Sequence, residues 1–241
     1  MSDCIVIIPT YNEIENIESI IRAVLSQHKS FHVLIVDDNS PDATADKVVL
    51  MQSEFKDKLF IEKRAGKLGL GTAYVHGFKW ALEHKYDYIF EMDADFSHNP
   101  NDLEKLYDAC RFGVADLAIG SRYVTGVNVV NWPLSRVLMS YFASVYVKFI
   151  TGMKIHDATA GFICYKRQVL EEINLNKIKF VGYAFQIEMK YRTFCKKFEI
   201  VEVPIIFTDR TKGQSKMSNS IIIEAVFGVI ALRLKKIVNS L

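Results

Sequence analysis

Two aspartates with a single residue between them, Asp93 and Asp95, follow a short apolar segment at residues 88–92. The segment predicts a buried strand, and on an ideal strand residues i and i+2 point to the same face. Mg²⁺ and Mn²⁺ prefer oxygen ligands, usually one or two carboxylates with substrate phosphates completing the shell. The pair therefore predicts a site for a metal ion and a diphosphate. The alternative is a solvated turn, because residues 93–100 are rich in Asp, Ser, His, Asn and Pro, which favour turns.

The composition fits one folded α/β domain with a substantial core, because 50% of the 241 residues are hydrophobic. The net charge of +2 gives no general argument for nucleic-acid binding, and the basic residues form no stripe. Four cysteines lie far apart without a Cys-x-x-Cys pair. They indicate reduced thiols of an intracellular protein rather than a disulfide or zinc framework.

The first 120 residues alternate between apolar runs and segments with helical character. Strands are predicted at residues 4–9, 31–36, 59–61, 88–92 and 115–120, and helices at residues 14–24, 43–55, 72–83 and 101–111. Continuous apolar runs are typical of strands that are buried on both faces of a parallel sheet. The pattern predicts an α/β fold with a mostly parallel central sheet and helices on both faces.

In such sheets ligands bind at the carboxyl ends of the strands, which is where the polar loops of this sequence fall. A nucleotide there needs a side wall for the base and hydrogen-bond acceptors for the base or ribose. Pro9, Tyr11 and Glu13 can supply the wall and one acceptor. Asp37 and Asp38 follow the second strand and can accept from ribose hydroxyls or base N–H groups.

Positive charge for a diphosphate is available in several loops. Residues 64–71 form a basic, glycine-rich loop that lets backbone approach a ligand, although it lacks the spacing of a P-loop and of Gly-x-Gly-x-x-Gly. A flexible basic connection is the alternative for this loop. Further candidate phosphate partners are Arg122, Arg136, Arg210 and Lys216, and arginine offers a bidentate fork. A solvated surface charge is the alternative for each of them.

The second half is less regular. Residues 182–192 predict a helix, residues 199–207 a strand, and residues 208–216 a polar basic loop. Residues 134–150 and 221–234 predict two largely apolar helices, which are either buried in the core or lie in the headgroup region of a membrane. Arg233, Lys235 and Lys236 would favour anionic lipid. We expect no transmembrane helix, because no window reaches the ~20 apolar residues needed, and no signal peptide.

Seven segments together resemble the glycosyltransferases of family 2, in particular the branch that transfers mannose to dolichyl or other polyprenyl phosphates. They occur in the family's order over nearly the whole chain, at residues 8–13, 36–42, 66–71, 92–98, 119–123, 131–136 and 209–216. The resemblance implies a single GT-A-type, Rossmann-like domain over residues 1–241. Residues 1–120 would form its nucleotide-binding half and residues 121–241 its acceptor-binding half.

The resemblance also implies how the donor is bound. The nucleoside of GDP-mannose would contact Pro9, Tyr11, Glu13, Val36 and Asp38. The diphosphate and a Mg²⁺ or Mn²⁺ cofactor would be held by Met92, Asp93, Ala94 and Asp95. Asp95 would be a direct metal ligand, Asp93 would act directly or through water, and Ser97 could contribute a further oxygen.

On the acceptor side, the resemblance implies that Arg122 and Arg136 meet the sugar donor or the acceptor phosphate. Asp157 would contact the sugar, although Ala160 stands where the family more often has Ser. The implied catalytic residues are Asp95, Arg122, Arg136 and Asp157. Arg122 would also contact the donor, over whose diphosphate a loop would close with Arg210 and Lys216.

The implied reaction needs no strong general base, because an ionised lipid phosphate can attack the anomeric carbon if it is well positioned. One attack from behind the leaving GDP would give a β-linked mannosyl phosphate. The alternatives are a transferase that uses UDP-glucose, a family 2 transferase with a saccharide acceptor, and a non-catalytic nucleotide-sugar-binding subunit. The expected location is the cytoplasmic face of a membrane, reached through the chain's own surface helices or a small membrane-protein partner.

Overall fold

The computed structural model of the protein describes residues 2–210 and 219–237, and a seven-stranded sheet forms its centre. From edge to edge the strands are β3 (Leu59–Lys63), β2 (His32–Asp37), β1 (Cys4–Thr10), β4 (Tyr88–Glu91), β7 (Ile163–Lys166), β5 (Leu117–Ser121) and β8 (Ile200–Pro204). Neighbouring strands are parallel except at β7, which is antiparallel to both β4 and β5. The prediction of a mostly parallel sheet is confirmed.

Helices cover both faces of this sheet. One face carries α1 (Ile17–Leu25), α2 (Thr44–Met51) and α4 (Leu103–Arg111). The other carries α3 (Leu70–Glu83), α5 (Leu134–Thr151), α6 (Arg167–Glu172), α7 (Tyr183–Cys195) and α8 (Asn219–Ile237). Successive strand side chains point to opposite faces, so Ile5 and Ile7 enter one core while Val6 and Ile8 enter the other. Burial on both faces explains why the strand segments are apolar throughout.

A second, two-stranded sheet pairs β6 (Val129–Val130) in parallel with β9 (Phe207–Thr208). The prediction of one continuous strand over residues 199–207 is therefore wrong. The edge strand β8 ends at Pro204, which has no N–H group with which to extend a ladder. After two further residues the chain pairs with β6 instead.

One predicted helix ends earlier in the structure, and two short elements were missed. The helix predicted over residues 43–55 ends at Met51, because the chain then folds into turns in which Asp57 has a left-handed φ of 62°. Helix α6 and strand β6 were not predicted, since each is too short for a clear apolar period.

Helices α5 and α8 keep apolar side chains outside the core. Their exposed apolar residues, which we call the apolar face, are Leu134, Leu138, Met139, Tyr141, Phe142, Val145, Phe149, Val226, Phe227, Ile230 and Leu234. The Tyr146 hydroxyl on α5 donates to the Val226 carbonyl on α8 at 2.9 Å. Within the described residues, no helix combines the length and the apolar content needed to cross a bilayer. Neither helix is wholly buried, so the core-helix alternative does not account for this face.

Candidate active site

The ends of β1 and β2 form the first part of the site. Thr10 and Asp37 are register partners on these strands, and the Thr10 hydroxyl donates to the Asp37 carboxylate at 2.8 Å. Asp37 also accepts from the backbone N–H and the hydroxyl of Ser40 at 2.9 and 2.6 Å. Asp37 is fully buried, and its carboxylate holds the loop together.

Asp38 is paired with a residue that was not predicted as part of the site. The Arg64 Nε atom lies 2.8 Å from the Asp38 carboxylate, and both side chains are more than 90% buried. Arg64 also donates to the Thr72 hydroxyl at 2.9 Å, at the start of α3. Burial raises the pKa of Asp38, and the positive charge of Arg64 opposes that shift. The only sequence signal for Arg64 was its place in the basic, glycine-rich loop.

That loop also reaches the end of β1, because the Lys67 ammonium lies 4.8 Å from the centre of the Tyr11 ring. Part of its glycine content serves packing. A Cβ atom on Gly71 would lie 2.7 Å from the Phe180 carbonyl oxygen, and the Gly71 N–H donates to the Val181 carbonyl at 2.9 Å. The last residue of this segment, at the start of α3, is therefore packed against the chain before α7.

Pro9, Tyr11 and Glu13 are partly exposed, as a wall for a base requires. Three other residues predicted to contact the donor, Val36, Met92 and Ala94, have buried side chains in the two cores. They can meet a ligand only through their backbone atoms.

The aspartate pair lies in a turn, because β4 ends at Glu91 and Phe96 has a left-handed φ of 60°. The prediction that strand alternation orients the two carboxylates is therefore wrong, and the turn orients them. The Asp93 side chain is 39% exposed, whereas Asp95 is buried. Asp95 accepts from the backbone N–H and the hydroxyl of Ser97 at 3.0 and 2.6 Å, and its second oxygen lies 2.7 Å from an Arg210 Nη atom.

His98 supports this turn with a hydrogen bond, and it was not predicted individually as a site residue. Its Nδ1 atom accepts from the Asp93 backbone N–H at 3.2 Å, which requires Nδ1 to be unprotonated. The ring stacks on Phe162 at 4.9 Å and is buried, and burial lowers the pKa of His98 to about 4. A neutral His98 therefore accepts this bond at neutral pH.

The electrostatics of the pair fit a divalent cation. Although the Asp93 side chain is partly exposed, desolvation by the surrounding protein and then the negative charge of Asp95 raise the pKa of Asp93. Burial also acts on Asp95, but the bonds from Ser97 and the charge of Arg210 keep the pKa of Asp95 below its usual value. A cation between the two carboxylates would relieve their repulsion. In the described parts of the chain, no three His, Cys, Asp or Glu side chains form a complete cage, so phosphate and water oxygens would complete the shell.

Arg122 and Asp157 form a buried pair on the other side of the site. Arg122 Nε and Nη2 lie 2.7 and 2.5 Å from the two Asp157 oxygens, and the Arg122 backbone N–H donates to the same carboxylate at 3.0 Å. Arg122 Nη2 also donates to the Thr159 hydroxyl at 2.9 Å. Burial opposes ionisation, but Arg122 keeps the pKa of Asp157 below its usual value. Asp157 is fully buried, so it orients Arg122 rather than facing open space.

Aromatic rings surround the arginines. The Arg122 guanidinium carbon lies 5.3 to 5.5 Å from the ring centres of Tyr123, Trp132 and Phe207. The Arg136 guanidinium lies 4.0 Å from the Trp132 ring centre. Such faces attract cations and exclude water, which restricts where the guanidinium groups can point.

Residues 207–210 join the two sides of the site. The ring centres of Phe207 and His98 lie 5.5 Å apart, and the Phe207 ring also lies beside the Arg122 guanidinium. Asp209 lies 3.0 Å from Arg136, and the next residue, Arg210, pairs with Asp95. A cleft of about 320 Å³ opens beside Asp95 and is lined by Phe96, Asn99, Pro100, Ile206, Thr208 and Asp209. Lys216, predicted on the same loop as Arg210, lies outside the described residues.

A family model described as Glycosyl transferase family 2 matches residues 5–174, and the chain belongs to this family. Polyprenol monophosphomannose synthase of Mycolicibacterium smegmatis is 48% identical over 228 residues, which cover 93% of this chain and 84% of that protein. Undecaprenyl-phosphate mannosyltransferase of Micrococcus luteus is 44% identical over 92% of this chain and 90% of that protein. Dolichol-phosphate mannosyltransferase of Pyrococcus furiosus is 38% identical, and the match covers 91% of this chain and 60% of that protein.

Solved structures show the same fold. Glucosyl-3-phosphoglycerate synthase of Mycobacterium tuberculosis, in complex with Mn²⁺, UDP and glucosyl-3-phosphoglycerate, superposes with a TM-score of 0.67. The superposition covers 97% of this chain and 79% of that chain at 17% identity. The predicted GT-A-type fold of a family 2 glycosyltransferase is thereby confirmed.

Proposed function

We propose that the protein transfers mannose from GDP-mannose to a dolichyl or other polyprenyl phosphate and gives a β-linked mannosyl phosphate lipid. The observation that supports this proposal most strongly is the position of segment 207–210. Its residues Phe207, Asp209 and Arg210 contact Arg122, Arg136 and Asp95 respectively, so the arginines lie next to the aspartate pair. Two anionic substrates can then meet in one site, each with charged partners. Three relatives named for mannosyl transfer or synthesis with polyprenol-type lipids support this choice.

The nucleoside would lie between the wall at Pro9, Tyr11 and Glu13 and the Asp38–Arg64 pair. Asp38 offers acceptor oxygens to the N–H groups of a base, and Arg64 holds that carboxylate in place. The backbone of Val36, Met92 and Ala94 would complete the pocket. This arrangement explains why a buried ion pair lies at the end of β2.

Asp93 and Asp95, with the Ser97 oxygen, are the residues that would hold a divalent metal ion together with the diphosphate. Such an ion supplies Lewis-acid neutralisation of the leaving diphosphate. Mg²⁺ and Mn²⁺ both suit this all-oxygen set. Arg210, which pairs with Asp95 in the structure, would turn to the diphosphate, and Lys216 would assist from the same loop.

The acceptor phosphate would bind at Arg122 and Arg136. Their guanidinium groups carry fixed positive charge, and Asp157 with the aromatic rings holds Arg122 in one orientation. An ionised phosphate oxygen needs no proton removed before it attacks, so the side chains contribute position and charge rather than general base catalysis. Attack from behind the leaving GDP inverts the anomeric centre.

The lipid tail would lie along the membrane surface next to α5, whose first turn carries Arg136. The apolar face of α5 and α8 would enter the headgroup region, as amphipathic surface helices do. Arg233 and Lys236 on α8 would favour anionic lipid there. We propose that the chain acts in this peripheral position on a cytoplasmic membrane face, alone or with a small membrane-protein partner.

The test is transfer of radiolabelled hexose from GDP-mannose, and in parallel from UDP-glucose, to a short polyprenyl phosphate. Mannosyl-lipid that forms with Mg²⁺ or Mn²⁺, is lost with a chelator and carries the β configuration is the expected result. Glucosyl-lipid alone would overturn the proposed donor while keeping the reaction type. Donor binding without transfer from either sugar nucleotide would favour a nucleotide-sugar-binding subunit.

A further inference from the structure

A fully buried lysine, Lys190, lies on α7 beneath the site and has no part in the reaction described above. Its ammonium donates to the Ala160 carbonyl at 2.6 Å and more weakly to the Gln186 carbonyl at 3.4 Å. Burial lowers the pKa of Lys190 to about 8, and the negative charges of Glu91 and Asp157 act in the opposite direction. Removing an ammonium from water is costly unless it gains such partners.

The Ala160 carbonyl belongs to residues 156–160, which we call the Asp157 loop. Side chains from three distant elements hold this loop. Glu202 on β8 accepts from the backbone N–H groups of His156 and Asp157 at 2.7 and 2.9 Å. Ser144 on α5 accepts from the Ala158 N–H at 3.2 Å, and Lys190 binds the far end.

The Asp157 loop in turn orients Arg122. Its Asp157 carboxylate binds the Arg122 side chain and backbone, and its Thr159 hydroxyl accepts from Arg122 Nη2. Lys190 therefore acts on the Arg122 guanidinium, which is proposed to bind the acceptor phosphate, through two contacts, one at Ala160 and one at Thr159. The Lys190 ammonium binds the loop at Ala160, one residue beyond Thr159, whereas Glu202 binds the other end of the loop at His156 and Asp157.

Lys190 also lies next to the end of β4, the strand that precedes the turn with the aspartate pair. Glu91, the last residue of β4, is fully buried and accepts from the Tyr165 hydroxyl at 2.9 Å and from the Gln186 amide. Gln186 and Lys190 are one helical turn apart on α7, so one helix holds both the β4 end and the Asp157 loop. The ammonium thus lies between the two halves of the site.

Lys190 supplies charge balance as well as a hydrogen bond. A methionine fills a similar volume, but replacing Lys190 alone would leave the buried Glu91 without this cation, and breaking a buried charge pair in this way is destabilising. What a methionine cannot do is donate a hydrogen bond to the Ala160 carbonyl.

We propose that Lys190 is a positioning residue of the transfer reaction, which fixes the Ala160 carbonyl and thereby the Asp157 loop that orients Arg122. The proposal rests on the proposed function of Arg122 in binding the acceptor phosphate. It assigns to Lys190 no contact with either substrate.

The test compares Lys190→Met and Lys190→Arg in the full chain with the control Lys166→Met. Lys166 is a partly exposed lysine that pairs with Asp116, at the end of β7 that is farther along the chain from the Asp157 loop. Lys190→Met should lower kcat about 100-fold, the effect of a misplaced catalytic group, while affinity for GDP with Mn²⁺ changes less than about threefold. Lys190→Arg, which keeps a donor, should recover part of the activity. The control should match the wild type.

Amide hydrogen exchange gives a readout that is independent of transfer. In Lys190→Met the N–H groups of Asp157 and Ala158 should exchange faster, and the amides of β1 and β2 should keep their protection. Unchanged exchange at these two positions, or unchanged kcat, would overturn the proposal. Equal loss of protection in all strands would overturn it too, because Lys190 would then be purely structural.

A double variant separates positioning from charge balance. If Lys190 only neutralised Glu91, Glu91→Gln with Lys190→Met would regain the activity lost in the single variant. We expect the activity of the double variant to stay as low as that of Lys190→Met, because the Ala160 carbonyl still lacks its hydrogen-bond donor. An inactive wild type with faster exchange in Lys190→Met would refute the proposed function and leave the loop-positioning role standing.

Discussion

The two sides of the site are built in different ways. On the donor side, the ladder between β1 and β2 aligns Thr10 with Asp37, and Glu91 ends the strand next to β1. On the acceptor side, Arg122 depends on Asp157, which is 35 residues away, and Arg136 on Asp209, which is 73 residues away. Backbone ladders keep their geometry when a side chain is changed, whereas a chain of side-chain contacts does not. Changes on the donor side should remove specific contacts, and changes on the acceptor side should also displace neighbours.

The largest effect is expected at Asp95, which we propose as a metal ligand. Asp95→Asn keeps the size of the side chain but removes the charge that a divalent cation needs, so kcat should fall on the order of 10³-fold. Steady-state transfer assays and calorimetric titration with Mn²⁺ in the presence of GDP measure the two effects. Asp46→Asn, an exposed aspartate on α2, is the control. Normal Mn²⁺ affinity in Asp95→Asn would contradict the assignment.

The acceptor side should respond to Arg122→Lys with a fall in kcat of about 100-fold, because an ammonium cannot reproduce the bidentate fork and misplaces the charge. GDP affinity should be nearly unchanged, which a binding titration would reveal. A matched change at an exposed arginine, Arg22→Lys, should leave both quantities unaltered. A parallel loss of GDP affinity would show that the two sides are not separable in this way.

Asp157→Asn tests the same pair through stability. The change leaves the Arg122 charge buried without an anion, so unfolding free energy should fall by about 3 kcal/mol at neutral pH. Despite burial, Arg122 keeps the folded pKa of Asp157 below its ordinary value of 3.8. The stabilisation is therefore present above that value and is lost as pH falls through the lower folded pKa. Urea unfolding of the wild type and of Asp157→Asn measures this effect. The difference between their unfolding free energies should be smaller at pH 3 than at pH 7.

On the donor side, Arg64→Met should weaken GDP binding about tenfold, because Asp38 loses the ion pair that holds its carboxylate in place and a misplaced acceptor forfeits about 1.4 kcal/mol. The maximal rate with saturating donor should stay close to that of the wild type. Lys63→Met, at the neighbouring exposed position, is the control. A fall in kcat at saturation would mean that Arg64 acts beyond the base pocket.

The smallest effect is expected on the apolar face. Phe142→Ser with Phe149→Ser should reduce binding to anionic vesicles severalfold, because less apolar area enters the lipid. The Phe149 side chain is 84% exposed, so thermal stability and turnover of a short-chain acceptor should not change. Phe112→Ser removes an equally exposed ring after α4 and should leave vesicle binding intact. Equal loss in both variants would argue against a specific membrane-facing surface.

Most of the sheet could be predicted because its strands are continuous apolar runs. The position of β7 could not, since an apolar run of this length does not encode whether its neighbours are parallel or antiparallel. The break at Pro204 has a local signal, yet the pairing of Phe207 and Thr208 with β6 depends on a segment that is 78 residues away in sequence. Exposure of the apolar face was also undecided, because apolar residues at helical spacing fit a core and a membrane surface equally well.

For the site, residue types and their place at strand ends indicated Asp38, Asp93, Asp95 and Arg122. Their partners could not be predicted, because Arg64 and Lys190 act through contacts between distant segments, and His98 acts through the geometry of a local turn. His98 illustrates the limit. The sequence places it three residues after Asp95, but only the turn with a left-handed Phe96 directs its Nδ1 atom to the Asp93 N–H.

The amino-acid sequence by itself determined the alternation of strands and helices, the polar loops at one edge of the sheet and the charged residues that lie there. These features follow from short-range hydrophobic periodicity and from the chemistry of individual side chains. Only the tertiary structure decided which charges are paired, which are buried and which loop orients Arg122. Hydrogen bonds and ion pairs act over a few ångströms, so their partners are set by the way the folded chain brings remote residues together.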